Sequence, residues 1–156
     1  MENIPDKLFR HIHEKMPIVC VDTVVCHESK IFLVKRATCP AKGEWWFPGG
    51  RLLRNEDLIS ASGRITKNET GLTVRSPVFL GHGETIFKSD PFDHGMGTHT
   101  VNFVFCARAA ALDVMSVTLD ENHTAYSVFS PEEVYRSDMH PYVKRFVALS
   151  EGVVRK

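Results

Sequence analysis

The spacing of hydrophobic positions changes along the chain, and each change marks an element. Ile4, Leu8, Ile12 and Met16 recur every four residues after Pro5-Asp6. That period predicts a short N-terminal helix laid on the core and closed by Pro17. Residues 18–26 (IVCVDTVVC) and 31–36 (IFLVKR) are β-branched apolar runs separated by His27-Glu28-Ser29-Lys30, the pattern of a hairpin. Asp22 interrupts the first run. A lone buried carboxylate costs several kcal/mol, so it needs a partner, and Arg36 on the paired strand is the natural one.

Pro40, Gly43, Pro48, Gly49 and Gly50 punctuate a loop around Trp45-Trp46-Phe47. Leu58, Ala61, Ser62 and Ile65 then keep helical spacing up to a stop at Gly71. Residues 74–87 and 98–109 read as strands joined by KSDPFDHGMG, a turn-rich loop long enough to act as a mobile lid. Residues 126–130 form a short strand feeding Ser130-Pro131-Glu132-Glu133, a capping box with proline at the first helical position. Residues 140–149 continue as a C-terminal helix with Val143, Phe146, Val147 and Leu149 as its apolar positions. The order predicts a mixed α/β (α+β) sandwich, because hairpin connections imply antiparallel pairs rather than a doubly wound parallel sheet.

Length and charge narrow the function. No repeat, low-complexity tract or linker divides the 156 residues, so one domain over 1–156 is expected. Lysine plus arginine equals aspartate plus glutamate at 19 each, so no global field recruits nucleic acid or an anionic membrane. Cys20, Cys26, Cys39 and Cys106 form no C-x-x-C pair. No signal-like apolar stretch opens the chain, and no run approaches the roughly 18 apolar residues of a membrane span. These features imply a soluble, cytoplasmic protein. Cys20 and Cys26 share one face of their strand, and packing explains them better than metal binding.

Gly50, five residues, Glu56, seven residues, Arg64, then Glu69-Thr70-Gly71-Leu72 resembles the Nudix box of nucleoside-diphosphate-linked hydrolases. The resemblance implies a Nudix-type α/β/α sandwich and a loop–helix–loop that presents oxygen ligands to a divalent cation on a diphosphate. In the family's usual box, positions 65, 68 and 69 all carry glutamate, and they lie within about 100° of one another around a helix. Here they are Ile65, Asn68 and Glu69. One strong helix ligand favours a single Mg²⁺, with Mn²⁺ as an alternative ion. A decayed, metal-free box is the competing reading, against which Gly50, Glu56, Arg64, Glu69 and Gly71 all persist.

The depleted box is similar to that of the GDP-mannose mannosyl hydrolase branch, as are MPIVCVD, VKRATCPAKGEWWFPGGR and LDENH. This resemblance implies water attack on the anomeric carbon of a GDP-hexose (GDP-mannose or GDP-glucose), release of GDP with inversion, and a homodimer. It implies Gly49 (through its carbonyl), Glu69 and Asn122 as metal ligands and His123 as general base. The branch often has glutamine where Asn122 stands, and the shorter side chain would reach a cation only through a water or a shifted loop. The resemblance also puts Asp22 and Arg36 near the leaving group.

Arg36 and Arg51 can both face a diphosphate, since a guanidinium offers two parallel donors to phosphate oxygens. Arg64 either joins them or braces the loop through Glu56. Trp45 and Trp46 either stack on a base or sugar or pack beneath the loop. His82, His94 and His99 are candidates for substrate contact, and His123 in the polar DENHTA segment reads otherwise as a solvated loop histidine. Two other functions remain open: a Nudix pyrophosphatase attacking phosphorus, and a silent nucleotide-sugar-binding module. The Ile4 to Met16 helix offers a mating surface for a dimer.

Overall fold

Residues 4–109 and 117–154 are described by the structure, a computed structural model. Strand β1 (Ile18–His27) and strand β2 (Lys30–Arg36) form the expected antiparallel hairpin, with Val25 opposite Phe32. Both are buried along most of their length, as strands covered on two faces must be. The segment read as a loop contributes two short strands instead, β3 (Trp45–Trp46) on β2 and β4 (Gly49–Arg51) on β1. Its prolines and glycines punctuate the chain without preventing a few ladder bonds at each end.

Strands β5 (Val74–Phe87) and β6 (Thr98–Ala109) have the bounds their sequence predicts and pair antiparallel. β6 lies parallel to β1, from Ile18 opposite Thr100 to Cys26 opposite Arg108. Strand β7 (His123–Phe129) starts three residues earlier than residue 126 and pairs with β2, bringing His123 opposite Arg36. The result is a seven-stranded mixed sheet, ordered β3-β2-β1-β6-β5, with β4 on β1 and β7 on β2.

Alternation along β1 sorts the core into layers. Val24 and Cys26 join Leu33, Val104 and Cys106 under helix α4 (Pro141–Val154), which buries Val143, Phe146 and Val147. Leu149 was expected in that stripe but faces solvent. Val21 and Phe105 meet Ala61 and Ile65 of helix α2 (Leu58–Thr70) on the other face. Each fully buried valine, leucine or phenylalanine contributes about 1.5–3 kcal/mol. Helix α3 (Pro131–Arg136) begins at the predicted capping box, with Ser130 and Glu133 exchanging both bonds.

Helix α1 (Asp6–Lys15) forms as predicted but docks by another face. Ile4, Leu8 and Met16 are exposed, and the buried side chain is His13, with Phe9 and Ile12 half-buried. The helix packs through rings that have their own partners in the fold, which outweigh the aliphatic stripe.

Candidate active site

A cavity of about 360 Å³ opens at the N-terminal end of β1. Seven of the eight residues expected to act on substrate or metal line it: Asp22, Arg36, Gly49, Arg51, Glu69, Asn122 and His123. Arg64 does not.

Glu69 reaches the cavity from the last turn of α2. That helix starts on Asp57, which accepts from Ser60, and stops at Gly71, whose left-handed φ of 73° suits glycine. Ile65 points into the core and Asn68 into solvent, so Glu69 is the one acid this helix turns inward. Its Oε2 accepts from the Gly49 N–H at 3.0 Å. Burial pushes the Glu69 carboxyl up to about 8, Asp120 and Asp22 add to the rise, and the Gly49 bond and Arg36 oppose it.

His123 is buried, not solvated. The start of β7 pins it to β2 and directs it inward. Its Nδ1 bonds the Asp120 carboxylate at 2.7 Å, and its Nε2 stands 3.8 Å from Glu69 Oε2. With Nδ1 donating to Asp120, the neutral ring keeps its lone pair on Nε2, beside Glu69. Burial, with help from the Arg36 charge, lowers the His123 pKa against the pull of Asp120. The ring is therefore neutral at pH 7 and able to take a proton from water. Asp120, which fixes the His123 ring, was not among the residues expected at the site. Its carboxylate also accepts from the backbone and side-chain amides of Asn122, each at 3.0 Å. An aspartate three residues before a histidine at the mouth of a strand was the available signal.

Asp22 has partners other than the expected one. Tyr142 Oη donates to its Oδ2 at 2.6 Å and Asn102 Nδ2 at 2.7 Å, while Arg36 acts only through its charge. Arg36 donates through Nε to the Pro40 carbonyl at 2.7 Å. Tyr142 and Asn102 lie far along the chain, which hid them from a local reading. Burial raises the Asp22 pKa, against both hydrogen bonds. The network continues through Thr100, which donates to Asn102 and shares a 2.6 Å hydroxyl contact with Thr85. Asp22, Asn102, Thr100 and Thr85 thus give the cavity a polar floor of acceptors and hydroxyls.

Arg51 lays its guanidinium 3.8 Å from the centroid of the Phe9 ring. Arg64 grips Glu56 with two bonds, Nε–Oε1 at 2.5 Å and Nη2–Oε2 at 2.8 Å, and also donates to the Arg51 carbonyl at 3.1 Å. The bracing arrangement is thus the one present. Trp46 stacks on Tyr142 with ring centroids 5.3 Å apart and also lines the cavity, whereas Trp45 packs edge-on against Phe129 beneath the loop. His99 bonds Glu84 and His94 bonds His13; neither these two nor His82 lines the cavity.

Among the described residues, no three carboxylate, imidazole or thiolate groups converge as a metal cage. The donors proposed at 49, 69 and 122 are all oxygens, the chemistry of a hard cation, and too few to complete six-coordination. Mg²⁺ characteristically fills such a deficit with water and phosphate oxygens. The buried Glu69 carboxyl, held up near 8, is relieved by a cation, so the residues fit one weakly caged divalent ion.

The NUDIX domain family matches residues 16–149. The chain belongs to the NUDIX family. It is 32% identical over 144 residues to the low-salt glycan biosynthesis protein Agl8 of Haloferax volcanii, covering 92% of this chain and 88% of that one. It is 34% identical over 89 residues to the ADP-ribose pyrophosphatase of Methanocaldococcus jannaschii, covering 57% of this chain and 49% of that one. The NUDIX hydrolase structure from Nitrosomonas europaea superposes with a TM-score of 0.70 at 23% identity, covering 88% of this chain and 90% of that one. The loop–helix–loop of the NUDIX box runs from β4 back to it, which brings Glu69 at the end of α2 into hydrogen-bond contact with the Gly49 N–H at the start of β4.

Proposed function

We propose that this NUDIX protein hydrolyses a GDP-hexose, GDP-mannose or GDP-glucose, to GDP and free sugar, by water attack at the anomeric carbon with inversion. The observation that carries this reading is the place of the base. His123 sits off the helix, oriented by Asp120, while α2 turns only Glu69 inward. A base outside the helix approaches the bound diphosphate sugar from the sugar side. Nε2 accepts the proton of the attacking water as the carbon–oxygen bond to the diphosphate breaks. Arg36 and Arg51 line the same cavity and neutralise the departing GDP.

Glu69, the Gly49 carbonyl and Asn122 are the residues that would hold Mg²⁺ or Mn²⁺. When bound there, such an ion would supply Lewis-acid stabilisation to the diphosphate leaving group. The polar floor of Asp22, Asn102, Thr100 and Thr85 offers hydrogen bonds to sugar hydroxyls. Similarity over most of its length to a glycan biosynthesis protein supports a sugar-linked substrate. The reading includes a cytoplasmic homodimer: the four cysteines are free thiols, and Ile4, Leu8 and Met16 leave an apolar stripe exposed along α1.

A second reading, pyrophosphatase attack on phosphorus, is favoured by the partial match to an ADP-ribose pyrophosphatase. A panel of nucleotide sugars incubated with Mg²⁺ separates the two. Free hexose as the first product supports carbon attack, sugar phosphate supports attack on phosphorus, and binding without turnover supports a silent module.

A further inference from the structure

We propose that His13 and His94 form a clamp that seats the N-terminal helix and the 88–97 loop over the cavity, making His13 a positioning residue for the ligand bound there. The proposal rests on reading that cavity as the substrate site.

His13 Nδ1 and His94 Nε2 are 2.8 Å apart; His13 is 8% exposed as a residue, and the His94 side chain is 3% exposed. Such a contact needs an N–H on one ring and a lone pair on the other. Removing either ring nitrogen leaves a buried polar atom without its partner, which costs more than a surface bond would. The loop side of the clamp is built on Asp90, whose carboxylate accepts from the N–H groups of Phe92, His94 and Gly95. The loop therefore arrives folded, and His94 is its anchor to the helix.

The aliphatic stripe of helix α1 does little of the docking. Leu8 and Met16 are exposed, so docking falls to His13 and Phe9, which meets Phe92 edge-on at 5.4 Å. Phe9, His13, Pro91 and Phe92 all line the cavity. Phe9 also carries the Arg51 guanidinium on its ring. The helix is thus a wall of the site, held to the loop by the His13–His94 bond and by the edge-on contacts of Phe92 with Phe9 and His13, and coupled to an arginine proposed to meet the diphosphate. When the clamp releases, the wall and the loop part and the cavity opens; when it closes, Arg51 regains its platform.

Cys20 reports this opening without any substrate. It lies on β1 in the cavity and is half-buried, whereas Cys26 and Cys106 are sealed in the core. In a Cys39→Ser background, the rate of maleimide labelling at Cys20 is measured at one fixed pH. His13→Phe and His94→Phe, which keep a ring and lose the bond, are each expected to raise that rate about tenfold, the scale of one lost hydrogen bond. The double variant is expected to gain no more than either single one, because both remove the same contact. His13→Asn, which restores a hydrogen-bonding atom near Nδ1, is expected to return close to the starting rate. Labelling confined to one thiol shows that the variants remain folded, and should the Phe variants label further thiols the smaller His13→Leu and His94→Leu, which also lack the bond, take their place.

Turnover of GDP-mannose gives the second readout: a raised KM with kcat within about twofold, the signature of lost binding. Unchanged Cys20 labelling in all variants overturns the proposal, and so does a fall in kcat at unchanged KM. If no nucleotide sugar is turned over at all, the proposed activity fails while the labelling result still decides the clamp.

Discussion

The Asp22 carboxylate packs so closely against the α-carbon of Gly49 that a β-carbon there would overlap its Oδ1. Tyr142 and Asn102 hold that carboxylate from the other side, so it cannot swing away without breaking both bonds. Gly49 in turn donates its N–H to Glu69. This single approach couples the floor of the cavity to the end of α2.

Gly49→Ala is therefore expected to be costly beyond its size. Overpacking against a pinned side chain costs about 1–3 kcal/mol, and displacing the Gly49 amide also removes the hydrogen bond to Glu69. Urea unfolding is expected to show that loss, and turnover to fall more than tenfold. A variant with wild-type stability would mean that Asp22 moves freely.

Much of the fold was legible because its signals are local. The β1–β2 hairpin, α2 between Asp57 and Gly71, and the Ser130 capping box all depend on residues within a few positions of one another. The parallel pairing of β1 with β6 and the Tyr142 bond to Asp22 join distant segments, and no local pattern announces them. The apolar period of α1 predicted the helix but not its docking, because His13 finds a buried partner in His94 and Leu8 finds none. At the site, the box drew attention to Glu69 and the branch resemblance to Gly49, Asn122 and His123, and all four line one cavity. Asp120 went unread because its role appears only once β7 turns the His123 ring toward it.

Glu69→Gln is expected to separate catalysis from stability. The amide keeps an acceptor for the Gly49 N–H and relieves a carboxylate that burial disfavours, so the metal-free variant is expected to melt no lower than wild type. Mg²⁺ binding, followed by calorimetry, is expected to weaken, and turnover to fall by orders of magnitude. Near-normal turnover at saturating Mg²⁺ would remove Glu69 from the site.

His123→Gln is expected to lose about 10²- to 10⁴-fold in kcat, the usual worth of a positioned general base. Asp120→Asn is expected to lose less, because it leaves the imidazole in place and disturbs only its tautomer and aim. Equal kcat in wild type and His123→Gln, measured at saturating substrate, would point to another base, with Glu121 next in line.

The clamp carries a pH dependence whose sign follows from burial. Desolvation and the neighbouring His94 lower the folded pKa of His13, while Asp90 pulls it up by less. Arg51 stands behind Phe9, and Glu14 adjoins His94. A depressed folded pKa means that the unfolded chain takes up the proton first. This part of the stability is present above the unfolded value near 6.5 and is lost as pH falls through the lower folded one. The drop in urea midpoint between pH 7.5 and pH 5.5 is therefore expected to be smaller in His13→Phe than in wild type. An equal drop would place the acid sensitivity elsewhere.

The bond that breaks is the central claim, and isotope placement reads it directly. His123 is carried by β7 rather than by α2, and Asp120 fixes its ring beside Glu69. One water and no covalent sugar intermediate imply inversion at the anomeric centre. Turnover of GDP-α-D-mannose in ¹⁸O-water with Mg²⁺, followed by mass spectrometry and NMR, is expected to place the label in mannose, with the β anomer formed first and GDP unlabelled. Label in a phosphate group, with mannose 1-phosphate as the sugar product, would contradict the account and assign the chemistry to attack on phosphorus.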